Sequence, residues 1–165
     1  TILRMGAAHG IKKVITTFDG VLSTPAASHL IRTNKAIGGI ILSASHNPGG
    51  LSGDFGVKLN GANGGPASES VTDEIYNFSK TLTEYNIVEC ESISSFSVGT
   101  YKLASTVVEV IDGIEDYLNL MQKLFDFDRI NFLLRSNFPI AFDALNAVTG
   151  PYAKRLFEEL LGAQK

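Results

Sequence analysis

The chain has 165 residues, 44% of them hydrophobic and 19% charged, and a formal net charge of −3. That is ordinary globular composition, which argues against disorder, and the length suits one domain or one with a small second. The acidic balance without a Lys/Arg run argues against a nucleic-acid surface, and no apolar run approaches the ~18 residues of a membrane span.

Thr1 to His9 reads as the tail of a helix closed by Gly10. Position 1 is not Met and no basic-then-apolar leader follows, so the sequence reads as a fragment cut within a larger protein. Val14-Ile15-Thr16-Thr17 is β-branched and predicts a strand. Phe18 to Ser23 is a loop turning at Asp19-Gly20, and Thr24 as N-cap with Pro25 in the first turn starts a helix running to about Lys35.

Ile40-Ile41-Leu42, bounded by Gly38 and Gly39, predicts a strand buried on both faces. Asn47-Pro48-Gly49-Gly50 cannot continue it, because Pro48 has no N–H and the glycines permit positive φ. Ser43, Ser45, His46 and Asn47 therefore sit where a rigid strand hands over to a loop. A hydrolase nucleophile would want Gly-x-Ser-x-Gly, but Ser43 and Asn47 flank Ser45. A phosphoserine needs donors, which His46, Asn47, the amides near Gly49-Gly50 and Lys58 can supply. A plain polar turn accounts for the same residues.

Val57 to Asn60 alternates and predicts a short strand antiparallel to its predecessor. Lys58 there is either a solvent-facing lysine or a cation serving a phosphate. Gly61 to Ala67 is a connector, lacking the Gly-Lys-Ser/Thr of a nucleotide loop. Ser68 to Leu82 predicts a helix with Val71, Ile75, Phe78 and Leu82 on one stripe, and Asn86 to Ala104 a serine-rich loop with one or two short strands. Val107 to Ile111 is the next strand. Asp112 caps a helix from Ile114 to Phe125, with Tyr117, Leu118, Met121 and Leu124 or Phe125 buried. Asp128 caps a short helix to Leu134, Ile140 to Leu145 is a strand, Asn146 to Gly150 a loop, and Pro151 starts a last helix ended by Gly162. The single cysteine, Cys90, is read as a passive thiol; it leaves no internal disulfide framework and suits a reducing cytoplasm.

The run Ser43-Ala44-Ser45-His46-Asn47-Pro48-Gly49-Gly50 resembles the Thr-Ala-Ser-His-Asn-Pro signature of the α-D-phosphohexomutases, with Ser where the family usually has Thr. Gly53-Asp54-Phe55-Gly56-Val57-Lys58-Leu59-Asn60, Asn63-Gly64-Gly65-Pro66, Gly20 to Ala26, Phe125-Asp126-Phe127 and Gly150-Pro151-Tyr152 are similar to its phosphoglucomutase branch. The family tends to have glycine near Ala147. The resemblance covers nearly the whole chain. It implies an α/β fold, a mixed sheet with flanking helices: residues 1–105 as an N-terminally truncated first domain and 106–165 as the start of a second.

The implied activity is interconversion of glucose 1-phosphate and glucose 6-phosphate through a phosphoserine at Ser45 and a glucose 1,6-bisphosphate intermediate, which also serves as activator. Ser45, His46 and Lys58 would be catalytic, and Ser43, Asn47 and Lys58 would bind substrate. Magnesium would be held through the Ser45 phosphate, its carboxylate ligands lying in an Asp-Gly-Asp-Gly-Asp loop absent here, as is the family's Gly-Thr-Ser-Gly-Leu-Arg motif. The partner is a phosphorylated hexose, with no nucleic acid or membrane, and the complete protein would be a cytoplasmic monomer. The alternatives are a non-catalytic scaffolding member of the family, or a phosphomannomutase.

Overall fold

The computed structural model describes residues 1–90 and 97–163. Helix α1 (Ile2–Ala8) ends as the sequence predicts. Gly10 takes φ +78°, and the N–H groups of Gly10 and Ile11 return to the carbonyls of Ala7 and Gly6 at 3.2 and 3.0 Å. Strand β1 (Lys13–Thr17) follows, then a tight turn at Phe18–Gly20 and helix α2 (Thr24–Thr33). The cap of α2 is Ser23, not Thr24: its Oγ accepts from the Ala26 N–H at 3.4 Å, which shifts Thr24 and Pro25 into the first turn.

The strands form two sheets. Strand β2 (Gly38–Ser43) and strand β3 (Gly56–Gly61) pair antiparallel, Ser43 opposite Gly56 and Ile41 opposite Lys58. Strand β5 (Thr106–Ile111) lies between β1, to which it is parallel, and strand β4 (Gly99–Leu103), to which it is antiparallel. Residues 106–111 thus share one mixed sheet with strands from residues 1–105. Under that sheet α1 covers the core of Ala7, Leu103, Val108 and Val110, with Leu3, Val88, Cys90 and Tyr101 at its margin. Thr106 is fully buried and donates its hydroxyl to the Ile11 carbonyl at 2.6 Å, which ties the start of β5 to the turn before β1.

Burial of β2 differs from the expectation. Ile41 is 9% exposed, but Ile40 and Leu42 are 53% and 49% exposed. Side chains alternate along a strand, so only the face carrying Ile41 meets α2. Helix α2 buries Ala26, Ala27, Leu30 and Ile31, and it lies so close that a Cβ on Gly39 would stand 2.7 Å from Ile31 Cδ1. Nothing among the described residues buries the opposite face.

Helix α3 (Glu69–Ser79) follows Ser68 and stops short of Leu82; its stripe of Val71, Ile75 and Phe78 is exposed, again with no covering layer among the described residues. In the serine-rich stretch, β4 is the strand found, and residues 91–96 lie outside the description.

Helix α4 (Gly113–Leu124) is capped as predicted, the Asp112 carboxylate accepting from the N–H groups of Ile114 and Glu115 at 3.0 and 3.1 Å. It packs on α2 and buries Leu118, whereas Leu124 and Phe125 both stay exposed. Helix α5 (Phe127–Arg135) is capped by Asp126, not Asp128, through the Arg129 N–H at 3.0 Å. No strand forms at Ile140 to Leu145, where no neighbouring strand stands to pair with it among the described residues; Phe142 packs on Phe157 instead, ring centres 5.8 Å apart.

The last helix, α6 (Thr149–Ala153), begins two residues before Pro151 and continues with wider, π-type winding over Lys154–Leu160. Its Tyr152 ring meets Tyr117 edge-on at 5.5 Å, and the buried phenol accepts from the Ser23 N–H at 3.0 Å. Arg155 ties the same segment to α4, pairing with Asp112 at 2.6 Å and with Glu115. Burial alone would raise the Asp112 pKa, but the Glu115 and Ile114 amides and the Arg155 guanidinium outweigh it and hold the carboxyl below 3.8.

Candidate functional site

Strand β2 ends at Ser43, and the chain reverses at once. The Asn47 N–H returns to the Ala44 carbonyl at 3.1 Å, which closes a turn with Ser45 and His46 at its apex. Ser45 sits at φ +61°, the left-handed region that costs a side-chain-bearing residue of order 1–2 kcal/mol. Ser43 offsets part of that cost, because its Oγ accepts the Ser45 N–H at 2.9 Å. The turn leaves Ser45, His46 and Asn47 exposed. His46 adjoins Ser45 in sequence, and the turn brings its Nδ1 to 3.4 Å from Ser45 Oγ.

The loop beyond is tied to itself. Asn47 Nδ2 donates to the Asp54 carboxylate at 2.6 Å, the Asp54 N–H to the Pro48 carbonyl at 2.9 Å, and the Gly53 N–H to the Gly50 carbonyl at 3.1 Å. Gly53 must be glycine here: a Cβ would overlap the Pro48 carbonyl and stand 2.9 Å from the Gly49 carbonyl oxygen. Gly56 closes the stem against Ser43, where a Cβ would lie 2.7 Å from the Ser43 carbonyl oxygen.

Ser43, Ser45, His46 and Asn47 are thus gathered in one turn. Lys58 stands apart from it, on β3 opposite Ile41, on the sheet face that also carries Ser43. It is exposed and makes no hydrogen bond to the turn residues, so its ammonium is open to an anion. Two structural roles were not visible in the residues alone. Ser43 serves the turn by accepting the Ser45 amide, and Asp54 orients Asn47; only the spacing of Asn47 and Asp54 on either side of a Gly-rich loop hinted at the second.

Chemically, the site presents a hydroxyl at a rigid strand end with an imidazole in reach and a cation on the next strand. Among the described residues, no group of three or more His, Cys, Asp or Glu side chains is placed to hold a metal ion. The magnesium that the resemblance implies therefore finds no such ligand set among the described residues.

An α/β domain with a hydroxyl presented at a strand-to-loop junction matches a domain of known description. Residues 1–86 match the family model described as phosphoglucomutase/phosphomannomutase, alpha/beta/alpha domain I. The chain belongs to the phosphoglucomutase/phosphomannomutase family. It is 49% identical over 163 residues to a phosphoglucomutase of Rhizobium radiobacter, 48% to one of Emericella nidulans, and 47% over 164 residues to a chloroplastic one of Arabidopsis thaliana. These alignments take in 98–99% of this chain but only 26–30% of each relative, so the chain spans less than a third of their length. The crystal structure of the exocytosis-sensitive phosphoprotein pp63/parafusin, a phosphoglucomutase from Paramecium in its open form, superposes with a TM-score of 0.91 at 43% identity, covering 99% of this chain and 32% of that one.

Proposed function

We propose that the complete protein carrying this chain is a phosphoglucomutase and that Ser45 is its phosphate carrier. The observation that carries the reading is the turn itself: a serine held in left-handed geometry, exposed, its amide fixed by Ser43 and its hydroxyl near His46. In this reading the phosphorylated Ser45 gives its phosphoryl group to a hydroxyl of the hexose phosphate. The Ser45 Oγ–P bond breaks, a P–O bond to the sugar forms, and the sugar hydroxyl proton ends on Ser45 Oγ. The bisphosphate then turns over, and its other phosphate returns to Ser45, leaving the isomeric hexose phosphate.

Phosphoryl transfer depends on positioning and on charge neutralisation. Lys58 is placed for the second, His46 donates to or accepts from the seryl oxygen, and Ser43 and Asn47 position the turn and meet the substrate. Magnesium dependence belongs to the complete protein, its carboxylates supplied from outside residues 1–165, and no step above rests on it. We take the complete protein to be a cytoplasmic monomer; the one cysteine of these 165 residues, Cys90, is a free thiol, and no helix among the described residues is long and apolar enough to cross a membrane. We read residues 1–105 as most of the first domain and 106–165 as the opening of the second, with β5 joining the sheet of β1 and β4 and α4 packing on α2 across that division.

The test is peptide mass spectrometry of the complete protein after incubation with glucose 1,6-bisphosphate. Phosphate on Ser45, with Ser45→Ala inactive, is the expected result. Phosphate found only elsewhere, with full turnover in Ser45→Ala, refutes the assignment.

A further inference from the structure

Asp116 Oδ2, on α4, is the one buried side-chain oxygen or nitrogen that lacks a hydrogen bond among the described residues. The group facing it is the His29 ring of α2, with Nε2 3.3 Å from Oδ2. The ring keeps 14% of its side-chain surface exposed and the carboxylate 38%, so one oxygen of Asp116 is sealed while the rest of the group reaches solvent. Helix α2 packs on both α4 and β2, which puts the pair on the division between residues 1–105 and 106–165. Asp112 and Glu115, on the preceding turn of α4, both pair with Arg155. Tyr117 faces Tyr152, and Lys123 is exposed two turns beyond Asp116. On α2 itself Arg32 reaches the turn at Gly64, where an added Cβ would meet its Nη1 at 2.7 Å. Strand β2 carries no titratable side chain, and β3 only the exposed Lys58. His29 is thus the cation-forming group within ion-pair reach of Asp116 among the described residues.

A buried carboxylate oxygen without a donor is unfavourable. A neutral imidazole relieves it little, because Nε2 then brings either an N–H out of line with Oδ2 or a lone pair. The imidazolium brings a positive charge at 3.3 Å, and that attraction depends on distance more than on alignment. We propose that His29 and Asp116 form a proton-operated clasp between α2 and α4, closed when the ring is charged and slack when it is neutral. Imidazole changes charge between about pH 5 and 8. The clasp therefore holds the two helices together at the acid end of that range and releases them toward the alkaline end. Because α2 also backs β2, whose end leads to Ser45, the clasp sets how firmly the Ser45 strand is joined to residues 106–165. It stands whether or not Ser45 is the phosphate carrier.

The test is hydrogen exchange of the complete protein, read by mass spectrometry at the α4 peptide and corrected for intrinsic rate, at about pH 5.5 and about pH 8. At the lower pH His29→Gln, which cannot take a charge, should exchange about three- to tenfold faster in α4 than wild type, and at the higher pH within about twofold of it. Asp116→Asn removes the carboxylate from the end of the pair that reaches solvent. It should show the same loss at the lower pH, and at the higher pH be no less protected than wild type, because the unpaired buried charge is gone. The double variant should lose no more than either single one. An equal loss at both pH values makes the pair ordinary packing and overturns the clasp, and so does the absence of any loss at the lower pH. If His29→Gln does not fold, Asp116→Asn decides by the same two outcomes.

Discussion

Replacing Gly53 by alanine should disable the Ser45 loop without unfolding the domain. In the native loop an alanine Cβ would overlap the Pro48 carbonyl and crowd the Gly49 carbonyl at 2.9 Å, and both obstacles are backbone, which cannot swing aside as a side chain does. The loop must open between Pro48 and Gly53. Two hydrogen bonds go with it, from the Asp54 N–H to Pro48 and from Asn47 Nδ2 to Asp54. At roughly 0.5–1.5 kcal/mol each, their loss disfavours the closed loop by about 1–3 kcal/mol. If only the closed loop presents Ser45 productively, kcat/KM falls about five- to 150-fold. Gly53 is exposed and distant from the core of Ala7, Leu103, Val108 and Val110, so global stability should change by less than about 1 kcal/mol. The assay is a coupled measurement of glucose 6-phosphate on the complete protein, with hydrogen exchange of the Asp54 amide as the local readout. Wild-type kcat/KM in Gly53→Ala, with the Asp54 amide as protected as before, would refute the link between loop closure and activity.

Lys58→Ala should lower kcat about 10²–10³-fold, as the loss of one charge-stabilising contact in a transfer site typically does, while Lys58→Arg keeps part of it; an alanine variant with unchanged kcat would make Lys58 an ordinary surface lysine. Asp112→Ala removes the cap of α4 and a partner of Arg155, and should cost about 1–2 kcal/mol at pH 7 by denaturant unfolding. The folded Asp112 pKa lies below its usual value, so that stabilisation is full above about pH 4 and fades as pH falls through the folded value; the gap between wild type and variant should narrow there, and a gap that widens on acidification would contradict the assigned cause. Residues 1–165 expressed alone should give no mutase turnover with magnesium and glucose 1,6-bisphosphate, because no metal-ligand cluster occurs among the described residues; turnover near that of a complete phosphoglucomutase would show that the site needs less than supposed.

The sequence by itself determined the elements whose signals are local. The Schellman turn at Gly10, the Asp112 cap of α4 and the antiparallel partnership of β2 and β3 follow from residue types a few positions apart, and so does the strand-to-loop break that exposes Ser45. Caps moved by a residue or two, Thr24 to Ser23 and Asp128 to Asp126, because neighbouring Ser and Asp residues compete for the same amides and only the chain's approach decides among them. Tertiary structure alone decided which apolar faces are buried. The pattern of Ile40-Ile41-Leu42 does not record whether a second layer lies over it, and the Ile140 to Leu145 run cannot be a strand without a partner edge. The same holds for the site. The residues of the turn are adjacent in sequence and were legible. The φ of Ser45, the Ser43 hydroxyl spent on its amide and the Asp54 brace on Asn47 arise from hydrogen-bond geometry fixed only when strand and loop are packed together.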